Sequence, residues 1–213
     1  MTRVAELWLA CSVEPWCRLG FTVVETSRGK IIRVADLDLR FVEADTAHPV
    51  SGWSLEHPDH HGGECTEVDG IDTEFIAPSI EQSSPAHELN VVGIDHIVIT
   101  TGSLDRTCGA IENQLQLPLK RVRDAGNGVR QGFHRAGPII LEIVERPDLP
   151  AETPAALWGL VLNVADLDTA VARIGPDNIG APKDAVQKGR RIATFRRDAG
   201  LVIPVALMSP DGD

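Results

Sequence analysis

Apolar and polar positions alternate over short segments of this chain, and the clearest of these segments are Ile94 to Thr101 and Ile139 to Glu145. β-branched residues dominate both, which is typical of strands. Between them, apolar residues recur at helical spacing at Leu104, Cys108, Ile111 and Leu115. Two further strands are predicted around the Asn127-Gly128 turn. Residues 91–147 therefore predict a β-α-β-β-β unit.

The same unit is predicted twice more, at 4–43 and at 155–210, and this repetition is the main organisational signal in the sequence. Between the first and second copies, Pro, Ser, His, Gly and acidic residues interrupt every apolar period. We therefore predict an α+β protein with a diverged N-terminal βαβββ-like module at 1–45 and an irregular connector at 46–90. A domain at 91–210 follows, built from two modules, 91–147 and 155–210.

Alignment of the copies places different residues at two equivalent positions. In the central copy these are His96 on the first strand and Glu142 on the last, 46 residues apart; in the third copy they are Gly159 and Ala206, 47 residues apart. The N-terminal copy has Glu6 and Arg40 there. Glu6 and Arg40 form either a salt bridge, in place of the metal-competent His and Glu of the central copy, or a solvated surface pair.

A family resemblance rests on four runs: DHIVITTGSLD at 95–105, GPIILEIVERP at 137–147, WGLVLNVADLD at 158–168 and GLVIPVALMSP at 200–210. Together they resemble the vicinal oxygen chelate superfamily, also called glyoxalase/bleomycin resistance/extradiol dioxygenase proteins. The run at 189–210 is most similar to glyoxalase-like proteins of actinobacteria. The resemblance implies that two modules join into an incomplete barrel, a cup in which the first and last strands hold one divalent metal that chelates vicinal substrate oxygens.

Carried over by position, the resemblance assigns metal ligands only to His96 and Glu142, because Gly159 and Ala206 have no ligating side chain. A catalytic metal usually has about three protein ligands. The cofactor is therefore predicted to be either absent or a weakly held divalent metal, with His134 on the neighbouring strand as the completing ligand. Without a metal, His96 and Glu142 form a buried polar pair or serve separate roles.

The ligand pocket is predicted to contain His96, Val98 and Glu142, with Arg190 and Arg196 entering the cup. A guanidinium binds carboxylate or phosphate in a bidentate manner. These two arginines belong to a basic run at 188–197, which reads equally well as a charged, solvated sheet edge. The predicted partner is a small molecule, with an anionic group where an arginine enters the cup.

The formal net charge of −11 argues against nucleic acid and anionic membranes as partners. No apolar run approaches the roughly 20 residues of a membrane span, so we expect a cytoplasmic protein. Three modules leave one without a partner in the chain. The N-terminal module is therefore expected either to dock on the main sheets or to pair with its copy in a homodimer.

Two functions remain open from the sequence. The first is a glyoxalase-like protein that binds or sequesters a small molecule and has a degenerate metal site. The alternative is a divalent-metal-dependent lyase, isomerase or dioxygenase acting on a small oxygen-rich substrate.

Overall fold

The computed structural model describes residues 1–35, 37–43, 49–60, 62–78 and 85–210. Within these ranges the chain forms two mixed β-sheets and three α-helices. The helices are α1 (Glu14–Arg18), α2 (Leu104–Leu115) and α3 (Leu167–Ile174). No helix of the described ranges is long and apolar enough to cross a membrane.

The first sheet contains the seven strands of the N-terminal part of the chain. They are β1 (Arg3–Leu9), β2 (Val24–Thr26), β3 (Gly29–Val34), β4 (Leu37–Phe41), β5 (Val50–Glu56), β6 (Glu64–Val68) and β7 (Ile71–Ile76). Their spatial order is β2-β3-β4-β1-β5-β7-β6.

The second sheet contains eight strands and carries the two modules that the sequence predicts at 91–147 and 155–210. They are β8 (Val91–Thr101), β9 (Arg121–Gly126), β10 (Val129–Ala136), β11 (Ile139–Glu145), β12 (Ala156–Val164), β13 (Lys183–Asp184), β14 (Arg191–Thr194) and β15 (Val205–Met208). Their order is β13-β14-β15-β12-β8-β11-β10-β9, so β8 and β12 join the modules at the centre.

Both helices of the second sheet begin at a side-chain cap. The Ser103 hydroxyl accepts a hydrogen bond from the Arg106 amide, and the Asp166 carboxylate accepts one from the Thr169 amide. Helix α2 contacts β10 and β11, and α3 contacts β14. Because these helices cover one face of the sheet, the other face is left for a cup.

The prediction of an irregular connector at 46–90 is wrong for its middle part, where β5, β6 and β7 form. Strand β5 shows no alternation because both of its faces are covered, so that Trp53 and Ser54 are equally buried. Strand β6 has four exposed residues among its five and therefore no apolar period. These strands are held by pairing with distant residues, which a local pattern does not reveal.

The arrangement of β5 and β7 matches that of the last module. Strand β5 is antiparallel to β1 and parallel to β7, just as β12 is antiparallel to β8 and parallel to β15. The segment is thus a shortened module without a helix, and the N-terminal module has its partner in the same chain. One apolar core joins both sheets, including Trp16, Trp53, Ile99 and Ile111. A homodimer stays a prediction.

The Glu6/Arg40 position of the first sheet holds a salt bridge, as one of the two sequence alternatives predicts. Glu6 Oε2 lies 3.1 Å from Arg40 Nε and 3.1 Å from an Arg28 guanidinium nitrogen, and it accepts a 2.8 Å hydrogen bond from the Ser54 hydroxyl. Glu6 is buried, which contradicts the solvated alternative. The Arg40 guanidinium also lies over the Trp8 ring, so the protein's own side chains fill this face.

We predict that Glu6→Gln lowers the free energy of unfolding by about 3 kcal/mol, because it leaves the half-buried Arg40 guanidinium without its carboxylate. Urea titration with a fluorescence readout measures the change. Glu25→Gln, at an exposed position of β2, is the matched control and should change stability little. Equal stability of the two variants would contradict a structural role for the Glu6 charge.

Candidate functional site

A cavity of about 490 Å³ opens on the face of the second sheet opposite α2. Both modules contribute to its walls, since strands β8 to β11 supply one side and β13 to β15 the other. The lining residues are His96, Arg121, Arg123, Gln131, Phe133, Glu142, Lys183, Asp184, Ala185, Val186, Gln187, Ile192, Thr194 and Met208.

His96 and Glu142 meet in this cavity. Strands β8 and β11 are parallel, with His96 opposite Ile140 and Glu142 opposite Val98, so the two polar side chains are offset by two residues on one face. His96 Nε2 lies 3.4 Å from Glu142 Oε2. This is within ion-pair range but longer than the usual N–H···O hydrogen bond. The sequence prediction that places these two residues together in a pocket therefore agrees with the geometry.

Behind His96, Asp95 fixes the orientation of the imidazole. The register of β8 against β12 passes from His96 opposite Val161 to Ile94 opposite Leu162, which leaves Asp95 as the extra residue of a β-bulge. Asp95 accepts a hydrogen bond of 2.7 Å from His96 Nδ1. The ring nitrogen that remains for the cavity is therefore Nε2.

Arg190 holds Asp95 in place. Its guanidinium donates a 2.5 Å hydrogen bond to Asp95 Oδ1 and a 2.6 Å bond to Asn163 Oδ1, and it also bonds the Ser209 carbonyl. Burial alone would raise the pKa of the Asp95 carboxyl, but the hydrogen bonds from His96 and Arg190 outweigh burial and lower it. Asp95 is therefore a carboxylate at neutral pH.

Gln131 supports Glu142 from the neighbouring strand. Its Nε2 donates a 2.7 Å hydrogen bond to Glu142 Oε1. The other amide atom, Gln131 Oε1, is buried and has no hydrogen-bond donor among the described residues. One acceptor at the cavity wall is thus left for another molecule.

The last module contributes an apolar patch to the cup beside its polar lining residues. Val161, Ala206 and Met208 are buried together, with Ala185 and Ile192 packed against them. At Gly159, the position equivalent to His96, a Cβ atom would lie 2.5 Å from the carbonyl oxygen of Pro204. This position therefore lacks both a ligand and the space for one.

The residues of the cup do not fit the divalent metal that the resemblance implies. Two of the four family positions are Gly159 and Ala206, and no group of three or more His, Cys, Asp or Glu side chains among the described residues is placed to hold a metal ion. Asp95 contacts His96 Nδ1 and not Nε2, so Asp95 and His96 Nε2 do not face the same metal position. A coordination shell of about three protein ligands cannot be assembled from these side chains.

The prediction that His134 completes a metal site is wrong. The register pairs Phe133 with Glu142 and His134 with Leu141, so His134 lies on the opposite face of β10 from the cavity. It is buried there, with Nδ1 bonded to the Leu117 carbonyl at 2.8 Å. Burial lowers the pKa of its imidazole. The prediction failed because the sequence does not specify strand register, and a shift of one residue moves a side chain to the other face of the sheet.

The other predicted pocket residues divide into three cases. Val98 lies on the cup face opposite Glu142 and Gly159 but does not line the cavity. Arg190 acts from behind, through Asp95. Arg196 is exposed and donates a hydrogen bond of 2.8 Å to the Pro176 carbonyl, so its prediction as a pocket residue is wrong.

Sequence reasoning missed Arg121, Arg123 and Lys183, the cations that do line the cavity. Arg121 and Arg123 are separated by one residue on a strand and therefore share a face. The alternation predicts that the two arginines lie on the same face of the strand. Whether that face is the cavity side depends on the register with Phe133 and Gln131, which the sequence does not give. Lys183 lies on a strand of two residues, which is too short for an alternating pattern to show the face of its side chain.

Comparison with solved structures finds the same architecture over almost the whole chain. A variant of 4-hydroxymandelate synthase from Streptomyces coelicolor aligns with 99% of this chain and 93% of its own, at 12% identity and a TM-score of 0.68. A xylose isomerase-like TIM barrel/4-hydroxyphenylpyruvate dioxygenase fusion protein aligns with 97% of this chain and 49% of its own, at 12% identity and a TM-score of 0.67.

A shorter match covers 59% of this chain and 92% of methylmalonyl-CoA epimerase from Mycobacterium tuberculosis, at 15% identity and a TM-score of 0.48. No protein-family model and no curated protein matches the sequence. At these identities the likeness concerns the fold alone.

We predict that Gly159→Ala destabilises the protein by about 1–3 kcal/mol, because the added methyl group meets the Pro204 backbone. Gly93→Ala is the matched control. It lies on the paired strand β8, where a Cβ atom has nothing within 4 Å. Urea midpoints of the two variants measure the difference, and a neutral Gly159→Ala would show that Pro204 moves aside freely.

Asp95→Asn should cost about 3 kcal/mol at pH 7, because Arg190 would remain buried without its carboxylate. The folded-state pKa of Asp95 lies below its unfolded value of about 3.9. Its stabilisation is therefore present above about pH 4 and is lost as the pH falls through the lower folded-state value.

Urea titrations at pH 7 and pH 3.5 test this prediction. The difference between wild type and Asp95→Asn should shrink at the lower pH. Asp168→Asn, which removes the exposed partner of Arg191, is the control and should behave like wild type at both pH values. A pH-independent difference would contradict the role assigned to the Asp95 charge.

Proposed function

The chain has the vicinal oxygen chelate fold, as its sequence resemblance predicts, and from that premise we propose that it is an enzyme that moves a proton on a small oxygen-rich substrate. The reaction class is isomerase or lyase. The observation that carries this proposal is the His96–Glu142 pair, which faces the cavity at 3.4 Å while Asp95 fixes the imidazole.

The chemistry follows from this arrangement. Glu142 Oε2 or His96 Nε2 accepts a proton from a carbon next to a carbonyl group, and the electron pair of the C–H bond moves onto the carbonyl oxygen to form an enolate. Return of the proton to a different face or carbon gives an isomer. Expulsion of a leaving group from the next carbon gives an unsaturated product. Neither route needs an external oxidant or reductant.

The names of the matched structures favour an enzyme over a binding protein, since they are a synthase and a dioxygenase fusion. The side chains of the cup do not support the metal-dependent lyase, isomerase or dioxygenase that the sequence left open. No step is assigned to a metal, because the cup supplies two ligand positions instead of four. The dioxygenase reading therefore has less support than proton transfer by side chains.

The binding or sequestering protein is the second candidate. Its support is the apolar patch of the last module, where Gly159 and Ala206 replace ligands and Pro204 closes the space beside Gly159. Such a cup would hold a small molecule without reacting with it. Binding without proton exchange would favour this candidate.

Exchange in D2O tests the enzyme. Short 2-hydroxy and 2-oxo carboxylates and their amides are incubated with the protein, and proton NMR follows loss of signal at the carbon beside the carbonyl. We expect catalysed exchange in at least one probe, reduced by about 10²–10⁴ in Glu142→Gln and His96→Gln. Treatment with a chelator should leave the rate unchanged.

Glu25→Gln and His60→Gln are the matched controls, because both lie outside the cavity. They should retain the wild-type exchange rate. Exchange that survives both cup variants, or that disappears with the chelator and returns with a divalent metal, would contradict the proposed mechanism.

A further inference from the structure

The cavity is lined by three cations and by two carboxylates, Glu142 and Asp184, and the described structure records no ion pair between the cations and these carboxylates. Arg121 and Arg123 of β9 and Lys183 of β13 line it, and none of the three has a side-chain ion pair or hydrogen bond within the described part of the chain. The Arg121 guanidinium lies 4.7 Å from the centre of the Phe133 ring. Its planar group is thereby held at the cavity by a neutral surface.

Several other arginines of the chain are paired with a carboxylate, whereas the arginines of the cup are not. Arg130 lies 2.7 Å from Asp105, Arg146 lies 2.6 Å from Asp148 and Arg191 lies 2.7 Å from Asp168. The exposed Arg135 and Arg196 lie outside the cavity and donate to backbone carbonyls. With a formal net charge of −11, the chain has an excess of acidic groups. Two adjacent unpaired guanidinium groups at one cavity therefore indicate an anion supplied from outside.

The position of these cations fixes how an anion would lie relative to the reactive pair. Along the sheet, Arg121 is opposite Phe133, and Phe133 is opposite Glu142. Two strand spacings, roughly 10 Å, separate the backbones of Arg121 and Glu142. Since both side chains reach into the same cavity, a molecule of a few carbon atoms spans the gap between their charged groups.

A second, independent feature concerns Gln131, between the cations and the reactive pair. Its amide nitrogen is committed to Glu142 at 2.7 Å, so its orientation is set. Its buried Oε1 has no donor in the described structure. An unsatisfied buried acceptor costs about 1–3 kcal/mol. A ligand hydroxyl or N–H group at this point would satisfy it.

From these features we propose that the cup binds a small hydroxylated organic anion. Its carboxylate or phosphate contacts Arg121 and Arg123, its hydroxyl donates to Gln131 Oε1, and a short apolar end lies on Ile192 and Met208. This assignment rests on the proposed function in using the same cup, and it names the substrate class for that reaction. The carbon between the anionic group and the hydroxyl lies nearest to Glu142.

Isothermal titration calorimetry at low salt tests the assignment with four probes. These are 2-hydroxybutyrate, its neutral amide, butyrate without the hydroxyl, and 2-hydroxyethyl phosphate as the phosphorylated anion. We expect 2-hydroxybutyrate or 2-hydroxyethyl phosphate to bind at least about tenfold more tightly than the amide, and 2-hydroxybutyrate more tightly than butyrate. The stronger of the two anions identifies the carboxylate or the phosphate as the preferred group.

The arginine variants give the decisive comparison. Arg121→Gln combined with Arg123→Gln should weaken anion binding at least about tenfold, since each charge-assisted hydrogen bond is a strong one. Arg196→Gln combined with Arg197→Gln removes the same charge from exposed positions outside the cavity and should retain wild-type binding. Gln131→Leu should abolish the preference for 2-hydroxybutyrate over butyrate.

Each outcome separates this inference from the proposed reaction. Equal affinity for the anions and the amide, unchanged binding in the cup double variant, or no binding of any probe overturns the anionic class. Arginine-dependent anion binding without deuterium exchange supports the class and contradicts the enzyme. Exchange that runs equally well on amides in the cup double variant supports the enzyme and contradicts the class.

Discussion

The buried Asp95–Arg190 ion pair is the interaction on which the polar half of the cup depends. It joins β8 of one module to the turn before β14 of the other, and its partners Asn163 and Ser209 belong to the last module as well. Because a buried pair of this kind is costly to break, the His96 ring is held at the module boundary. The bulge that frees Asp95 for this contact is therefore a functional feature of the strand.

The two sheets use equivalent positions in opposite ways. In the first sheet, Glu6 and Arg40 neutralise each other and Trp8 fills the adjoining space, so that a Cβ atom at Gly52 would lie 2.6 Å from the Trp8 ring. In the second, His96 and Glu142 face a cavity with room for a small molecule. One copy of the arrangement has become part of the core, and the other has kept an accessible polar wall.

How far the sequence predicts this protein depends on where the deciding contacts lie. Local patterns were sufficient for β8, α2 and β11. The placement of His96 and Glu142 was also predictable, because copies of one module in the same chain can be aligned with each other. Local patterns failed for β5 to β7, whose pairing partners are distant, and for His134, whose face depends on register. The Glu6–Arg40 bridge was predictable only because aligned copies indicated that the two residues were neighbours.

The cations of the cup show the same limit at the level of chemistry. A run of basic residues at 188–197 is the conspicuous charge signal in the sequence. Yet Arg190 of this run forms an ion pair with Asp95, and Arg196 donates to a backbone carbonyl. Arg121 and Arg123 are less conspicuous, but they line the cavity and form no ion pair with a carboxylate in the described part of the chain. Arg121 and Arg123 are distinguished by their place at the cavity together with the lack of an internal ion pair, and both properties are visible only in three dimensions. A cup with unpaired cations at one end and a hydrogen-bonded base at the other can orient an anion and act on it with side chains alone.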